Sequence, residues 1–278
     1  MLLSNFLAQR EEEQADAKVR DLLESRDWGY EQAEFLGHFL SSVFQPVVSP
    51  INKRLETVGH EAFVRPKAGG KASAVEDYFA AMEPDNKAHV DALCRHLHTT
   101  NFLSQAAAET LLFLNMETAG LAQNPQELAH LISQLQTLTQ RGLAPHRLVL
   151  EVELTPQLDA GELYTFVAAI RATGVKIALE GFDADGASLA RVVQIRPDIV
   201  KFNRSWLNAD LEDPAYILMV AQVVAAVAAL GAKAHQEFIE TSTELRFAST
   251  CGFHYMQGYR IAAPAADLAS VSLGPAEI

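Results

Sequence analysis

The sequence predicts an α/β protein built as a closed, TIM-like (β/α)8 barrel whose first strand runs antiparallel to its neighbour. Three observations predict it. Apolar runs of strand length alternate with helical stretches through most of the 278 residues, and no linker-like segment interrupts them. The first strand-like run is also followed by a polar turn and a second strand-like run, which is the pattern of a hairpin rather than a crossover. Repeated strand and helix units imply parallel strands joined by right-handed crossovers. So many units in one uninterrupted chain favour a closed barrel over an open doubly wound sheet.

The elements follow in order. AQREEEQADAKVRDLLESRD spaces Ala15, Val19 and Leu22 at helical intervals among charges, which predicts an exposed amphipathic helix. Residues 1–27 are therefore expected to form a helical extension, and 28–278 the barrel domain. The extension would pack on its own domain, pair in a homodimer or dock a protein partner. GYEQAEFLGHFLSS reads as a second helical stretch, and VFQPVV as the first strand. After Ser49 and Pro50, LETVGHEAFVR alternates as the returning strand. PKAGGKAS is a connection, because it lacks the spacing of a phosphate-binding loop. A helix over 87–98 leads into strand LLFLN, helix PQELAHLISQLQTLTQ, strand RLVLEVE, helix AGELYTFVAAIRAT and strand VKIALE. A short helix over 188–193, strand DIVKF, helix PAYILMVAQVVAAVAAL, strand AKAHQE, helix STELRFAST and a last strand around YMQG complete the series.

Composition narrows the class. Hydrophobic residues make up 49% and charged residues 21%, enough apolar material for a sizeable core. No apolar run reaches the roughly 20 residues needed to span a bilayer. MLLSNFLAQREEEQ lacks the basic region and cleavage pattern of a secretory signal, so a cytoplasmic location is expected. Cys94 and Cys251 form no disulfide framework and suit a reducing compartment. The net charge of −13 argues against general nucleic-acid binding, which needs a broad basic face.

In a barrel of this kind the active site lies at the C-terminal ends of the strands. The polar residues predicted there are Glu61, Asn115, Glu151, Glu180, Lys201, Glu237 and Gln257. Four carboxylates, two amides and an amine converging on one mouth exceed what turns and caps require.

These residues lie in segments that resemble the EAL domain family, which comprises bacterial phosphodiesterases that linearise cyclic di-GMP together with non-catalytic relatives. The resemblance covers about 35–264. FQPVV resembles YQPIV, and HEAFVRP resembles EALLRW with Phe63 in place of leucine. LFLNMETAGL resembles LSVNLSPRQL, and LVLEVELTP resembles LELEITES. IALEGFDADGASLA stands where IALDDFGTGYSSLS is expected, and DIVKFNRSW where DILKIDRSF is. HQEFIET and YMQGYRIAAP resemble AEGVET and DYMQGYLFSRP.

The resemblance implies two divalent cations, Mg²⁺ or Mn²⁺, held by oxygen ligands. Carried over by position, Glu61, Asn115, Glu151 and Glu180 would hold the first. Glu180 replaces a bridging aspartate and is one methylene longer. The second cation loses its ligands: Gly181 stands for an aspartate, and Asn203 for the aspartate of KID. Lys201 and Glu237 keep the lysine and glutamate that the family places near the phosphate and the attacking water. Little or no hydrolysis is therefore expected, with at most one Mg²⁺ or Mn²⁺ bound. Asp183 and Asp185 replace glycines in the same turn, but the glutamate that would complete a calcium loop is missing.

For nucleotide binding, the resemblance implies that Arg65 contacts phosphate, Phe63 packs on the ligand, Gln45 and Gln257 line the pocket and Asp91 accepts from guanine. Phe238 and Gln236 add bulk beside Glu237. Two roles follow, a cyclic di-GMP receptor or a protein-interaction module; the alternative is a weakly active metal-dependent phosphodiesterase. His60 and His235 are expected to be packing or rim residues. In CRHLH, Cys94 and His98 share a helical face but lack the further ligands of a zinc site.

Overall fold

The computed structural model describes residues 23–25, 31–116, 118–153, 159–275 and 277. The strands are β1 (Leu23–Ser25), β2 (Glu31–Phe35), β3 (His38–Ile51), β4 (Arg54–Ala68), β5 (Lys71–Ala72), β6 (Leu111–Met116), β7 (Leu148–Glu153), β8 (Lys176–Phe182), β9 (Ile199–Phe202), β10 (Lys233–Gln236), β11 (Tyr255–Met256) and β12 (Ser272–Leu273). Eight of them close a barrel in the order β3-β11-β10-β9-β8-β7-β6-β4, with β4 pairing back to β3. The pairings from β4 round to β11 are parallel, and β3 meets β11 antiparallel. This is the barrel, with its one reversed strand, that the alternation predicts.

The chain divides into two compact units, one of residues 1–43 and 64–104, the other of 44–63 and 105–278. In the first unit, β2 and β3 form a hairpin where a helix is expected over 29–42. Ala33 and Leu40 are buried and oppose each other across the ladder, and Leu36 and Gly37 both turn at positive φ (48° and 74°). A two-residue turn of that conformation matches the twist of paired strands. Alternating burial therefore wins over the helical spacing. Of the expected N-terminal helix only 23–25 are described, and they pair with β2; the rest lies outside the described residues. Helices α1 (Val75–Ala80) and α2 (Pro84–Leu103) complete the unit, with Tyr78, Val90, Leu93 and Leu97 packing on Ala33, Leu40 and Val64. Within it Ser42 Oγ lies 2.7 Å from His98 Nδ1 and accepts from Asn101 Nδ2 at 3.2 Å. Burial pushes the Cys94 thiol up to about 12 and the His98 imidazole down to about 3.

In the second unit β3 turns through Asn52 and Lys53, again both at positive φ (50° and 64°), into β4. The helices after the strands are α3 (Thr118–Gln123), α4 (Pro125–Gln140), α5 (Ala160–Arg171), α6 (Gly186–Ile195), α7 (Pro214–Ala229) and α8 (Ser242–Cys251). Their starts are written locally. Asn124, Asp185 and Asp213 accept from backbone N–H groups of the first turn, and Asp159 and Thr241 form capping boxes with Glu162 and Glu244. Each such cap contributes about 1 kcal/mol. The barrel interior is filled by Val47, Leu111, Phe113, Val149, Ala178, Ile199 and Tyr255. Burying each larger side chain contributes about 1.5–3 kcal/mol. Among the described residues no helix is long and apolar enough to cross a membrane.

Candidate active site at the barrel mouth

Side chains alternate in and out along a strand, so residues two beyond the interior layer face the mouth. Beyond Val149 on β7 comes Glu151, beyond Ala178 on β8 Glu180, beyond Ile199 on β9 Lys201, and beyond Phe113 on β6 Asn115. Glu61 on β4 and Glu237, which follows β10, complete the ring.

Lys201 stands at its centre, fully buried. Its Nζ donates to Glu151 Oε1 at 2.6 Å and Glu180 Oε1 at 2.8 Å, and lies 2.9 Å from Glu237 Oε1 and 3.4 Å from Glu61 Oε2. Asn115 Nδ2 donates to Glu61 Oε1 at 3.1 Å. One cation among four carboxylates leaves an excess of negative charge. Burial opposes the ammonium, yet the carboxylates of Glu151, Glu180, Glu237 and Glu61 outweigh it and raise the Lys201 pKa. Burial, with Glu61 next in weight, raises Glu151 well above the usual carboxylate range; burial likewise lifts Glu237 to about 8, against the pull of Lys201. Burial thus works against ionising both carboxylates, a cost that a bound cation would offset.

The other flank of the mouth is different. Gly181, at φ 71°, offers no side chain, and the Cβ of a larger residue would meet nothing within 4 Å. Asn203 Nδ2 donates to Asp183 Oδ2 at 3.4 Å, and Ser205 Oγ to Asp183 Oδ1 at 2.9 Å. Asp185 caps α6 and is held below its usual pKa by bonds from Ser188. Asp185 thus serves its own turn, and Asp183 ties that turn to the segment after β9.

Of the remaining candidates, Gln45 accepts from Gln257 Nε2 at 3.2 Å and donates to the Ala262 carbonyl at 3.0 Å. Phe63 is half-buried on β4. Arg65 and Asp91 belong to the first unit, where Arg65 donates to the Val64 carbonyl and Asp91 pairs with Arg95 one helical turn on. His60 is buried and donates from Nε2 to the Ala269 carbonyl at 2.9 Å. His235 packs in the barrel interior. It is fully buried, adjoins Lys201 in register and lies among the Phe113 and Tyr255 rings, with neither ring nitrogen bonded to a described residue. Burial, and then Lys201, keep it neutral. Its inward position follows from strand parity two residues before Glu237, a signal legible once Glu237 is placed at the mouth.

A family model described as EAL domain matches residues 32–264. The chain belongs to the EAL domain family. The uncharacterized EAL-domain containing protein YkuI of Bacillus subtilis is 27% identical over 215 residues, 75% of this chain and 51% of YkuI. This EAL domain chain therefore spans about half the length of that relative. The YkuI structure, solved in complex with substrate c-di-GMP and calcium, superposes with a TM-score of 0.72 at 25% identity, covering 84% of this chain and 57% of YkuI. Klebsiella pneumoniae BlrP1, in a manganese/cy-diGMP complex, shares the fold at the same TM-score of 0.72 with 22% identity, over 84% of this chain and 58% of BlrP1.

Proposed function

We propose that this EAL domain acts in cyclic di-GMP signalling as a receptor that binds the nucleotide at the barrel mouth without efficient cleavage and reports it to a protein partner. One observation carries the reading. Four carboxylates gather on Lys201, while at the two positions that would hold a second cation stand Gly181 and an Asn203 already bonded to Asp183.

One Mg²⁺ or Mn²⁺ fits the populated flank. Glu61, Glu151 and Glu180 present oxygens within 4.8 Å of one another, and Glu151 Oε2 is buried with no partner among the described residues. Asn115 adds an amide oxygen beside Glu61. These are hard donors suited to a hard cation, which when bound would polarise a phosphate oxygen. A second cation does not fit, because the residues where its ligands belong are a glycine and an engaged amide. Lys201 supplies the positive charge the net composition lacks and holds Glu61, Glu151, Glu180 and Glu237 in place. Gln45 and Gln257 offer amide donors and acceptors to a purine edge.

A specific contact supports weak phosphodiesterase activity as the second reading: Lys201 and Glu237, both at family positions, remain 2.9 Å apart. Calorimetry with cyclic di-GMP, with and without Mg²⁺, followed by product analysis of the same samples, separates the readings. Binding with intact nucleotide is expected. Linear product would replace the receptor by an enzyme, and absence of binding would leave a protein-interaction module. The triple variant Glu180→Asp, Gly181→Asp and Asn203→Asp should gain metal-dependent hydrolysis by about tenfold or more, as both sides of a cation pair are supplied.

A further inference from the structure

One residue at the rim breaks a backbone rule. Phe238 follows Glu237 directly and adopts φ 60°, a left-handed conformation that favours glycine and carries an energetic cost for a side chain with a Cβ. The residue is 48% exposed, so burial does not offset that cost. Glycine stands at the matching position of the family's AEGVET segment.

The surrounding structure over-determines the loop, the condition under which such a conformation persists. Ile239 N donates to the Gln257 carbonyl at 3.1 Å, and Arg260 N to the Ile239 carbonyl at 2.9 Å. Gly258 lies so close that any Cβ there would collide with the Ile239 backbone. Arg204 forks onto Glu240 at 2.8 and 3.2 Å, and Glu240 N and Thr241 N both donate to Glu244 Oε2, at 2.6 and 2.8 Å. The braced segment on the other side carries Tyr259, 65% exposed. Two exposed aromatic residues thus follow the mouth residues Glu237 and Gln257 on braced backbone, one of them against its own conformational preference.

We propose that Phe238, supported by Tyr259, is a stacking platform for a guanine base of the bound nucleotide and sets specificity at this rim. The inference rests on the receptor reading above. A planar ring stacks on an exposed aromatic at little entropic cost when the platform is rigid. Guanine also brings N–H donors, which suit a mouth rich in carboxylate acceptors better than an additional anion would.

The test is cyclic di-GMP affinity by calorimetry for the full chain and for Phe238→Gly, Phe238→Trp and Tyr259→Ala, with thermal melts of each protein without nucleotide. Phe238→Gly should weaken binding by about tenfold to a hundredfold while raising the melting temperature, since glycine accepts the left-handed backbone. Phe238→Trp should bind as well as the parent or better, and Tyr259→Ala should show a smaller loss than Phe238→Gly. If the parent binds and Phe238→Gly keeps its affinity within about twofold, below the effect of one stacked base, the platform is overturned and the receptor reading stands. If the parent does not bind, both are overturned.

Discussion

Lys201 and His98 are both buried among polar partners, one in each unit, and they are built on opposite terms. His98 is neutral, meets Ser42 at 2.7 Å, and shares that hydroxyl with Asn101; none of the three has an orphaned buried polar atom. Lys201 anchors four carboxylates that outnumber it, and Glu151 Oε2 and both nitrogens of the adjacent His235 lack described partners. A neutral network with every atom satisfied holds a fold together. A charged network with surplus acceptors costs stability, and such sites are kept for what they bind.

The largest expected effect breaks the charged network. Lys201→Met removes the cation that four carboxylates share and should cost about 3–5 kcal/mol, read by urea or thermal unfolding. Millimolar Mg²⁺ should recover part of that loss by replacing the missing charge; a stability unchanged by both the substitution and the ion would show that the cluster is solvated and inert. The neutral network is probed by acid. His98 has a folded pKa of about 3 against an ordinary 6.5, so the unfolded chain binds the extra proton between those values. Stability from this group is complete above pH 6.5 and is lost as pH falls toward 3, by roughly 2–3 kcal/mol between pH 7 and 4.5. Parallel unfolding curves for the parent and His98→Gln should converge in that window; parallel slopes would mean the imidazole is not buried in solution. The smallest effect is Ser42→Ala, about 1–2 kcal/mol from one lost buried hydrogen bond, with no change in nucleotide affinity.

The strand and helix rhythm was legible because most strands after the first hairpin are short apolar runs and five of the helices begin at a recognisable cap, as at Asn124-Pro125 and Asp213-Pro214. Glu61, Asn115, Glu151, Glu180, Lys201 and Glu237 could be gathered from strand ends alone, since the barrel dictates where strand ends meet. The hairpin over 31–51 was not, because GYEQAEFLGHFLSS satisfies helical spacing as well as alternation, and the Leu36-Gly37 turn lacks the usual Asn-Gly signal. The left-handed backbone of Phe238 was equally hidden. Sequence alone reads the residue as added bulk, and only the backbone angles reveal it as strain held for display.

The reversed first strand has a consequence for how the molecule comes into being. Val48 of β3 finds Met256 of β11 only after about 200 further residues have been made, so during synthesis one barrel edge waits, unpaired, through nearly the whole translation of the domain. Non-local pairings of this span form late, and open strand edges recruit one another. The nascent chain should therefore depend on chaperones until β11 leaves the ribosome, and a ribosome stalled before residue 255 should hold a chain that is readily proteolysed along β3.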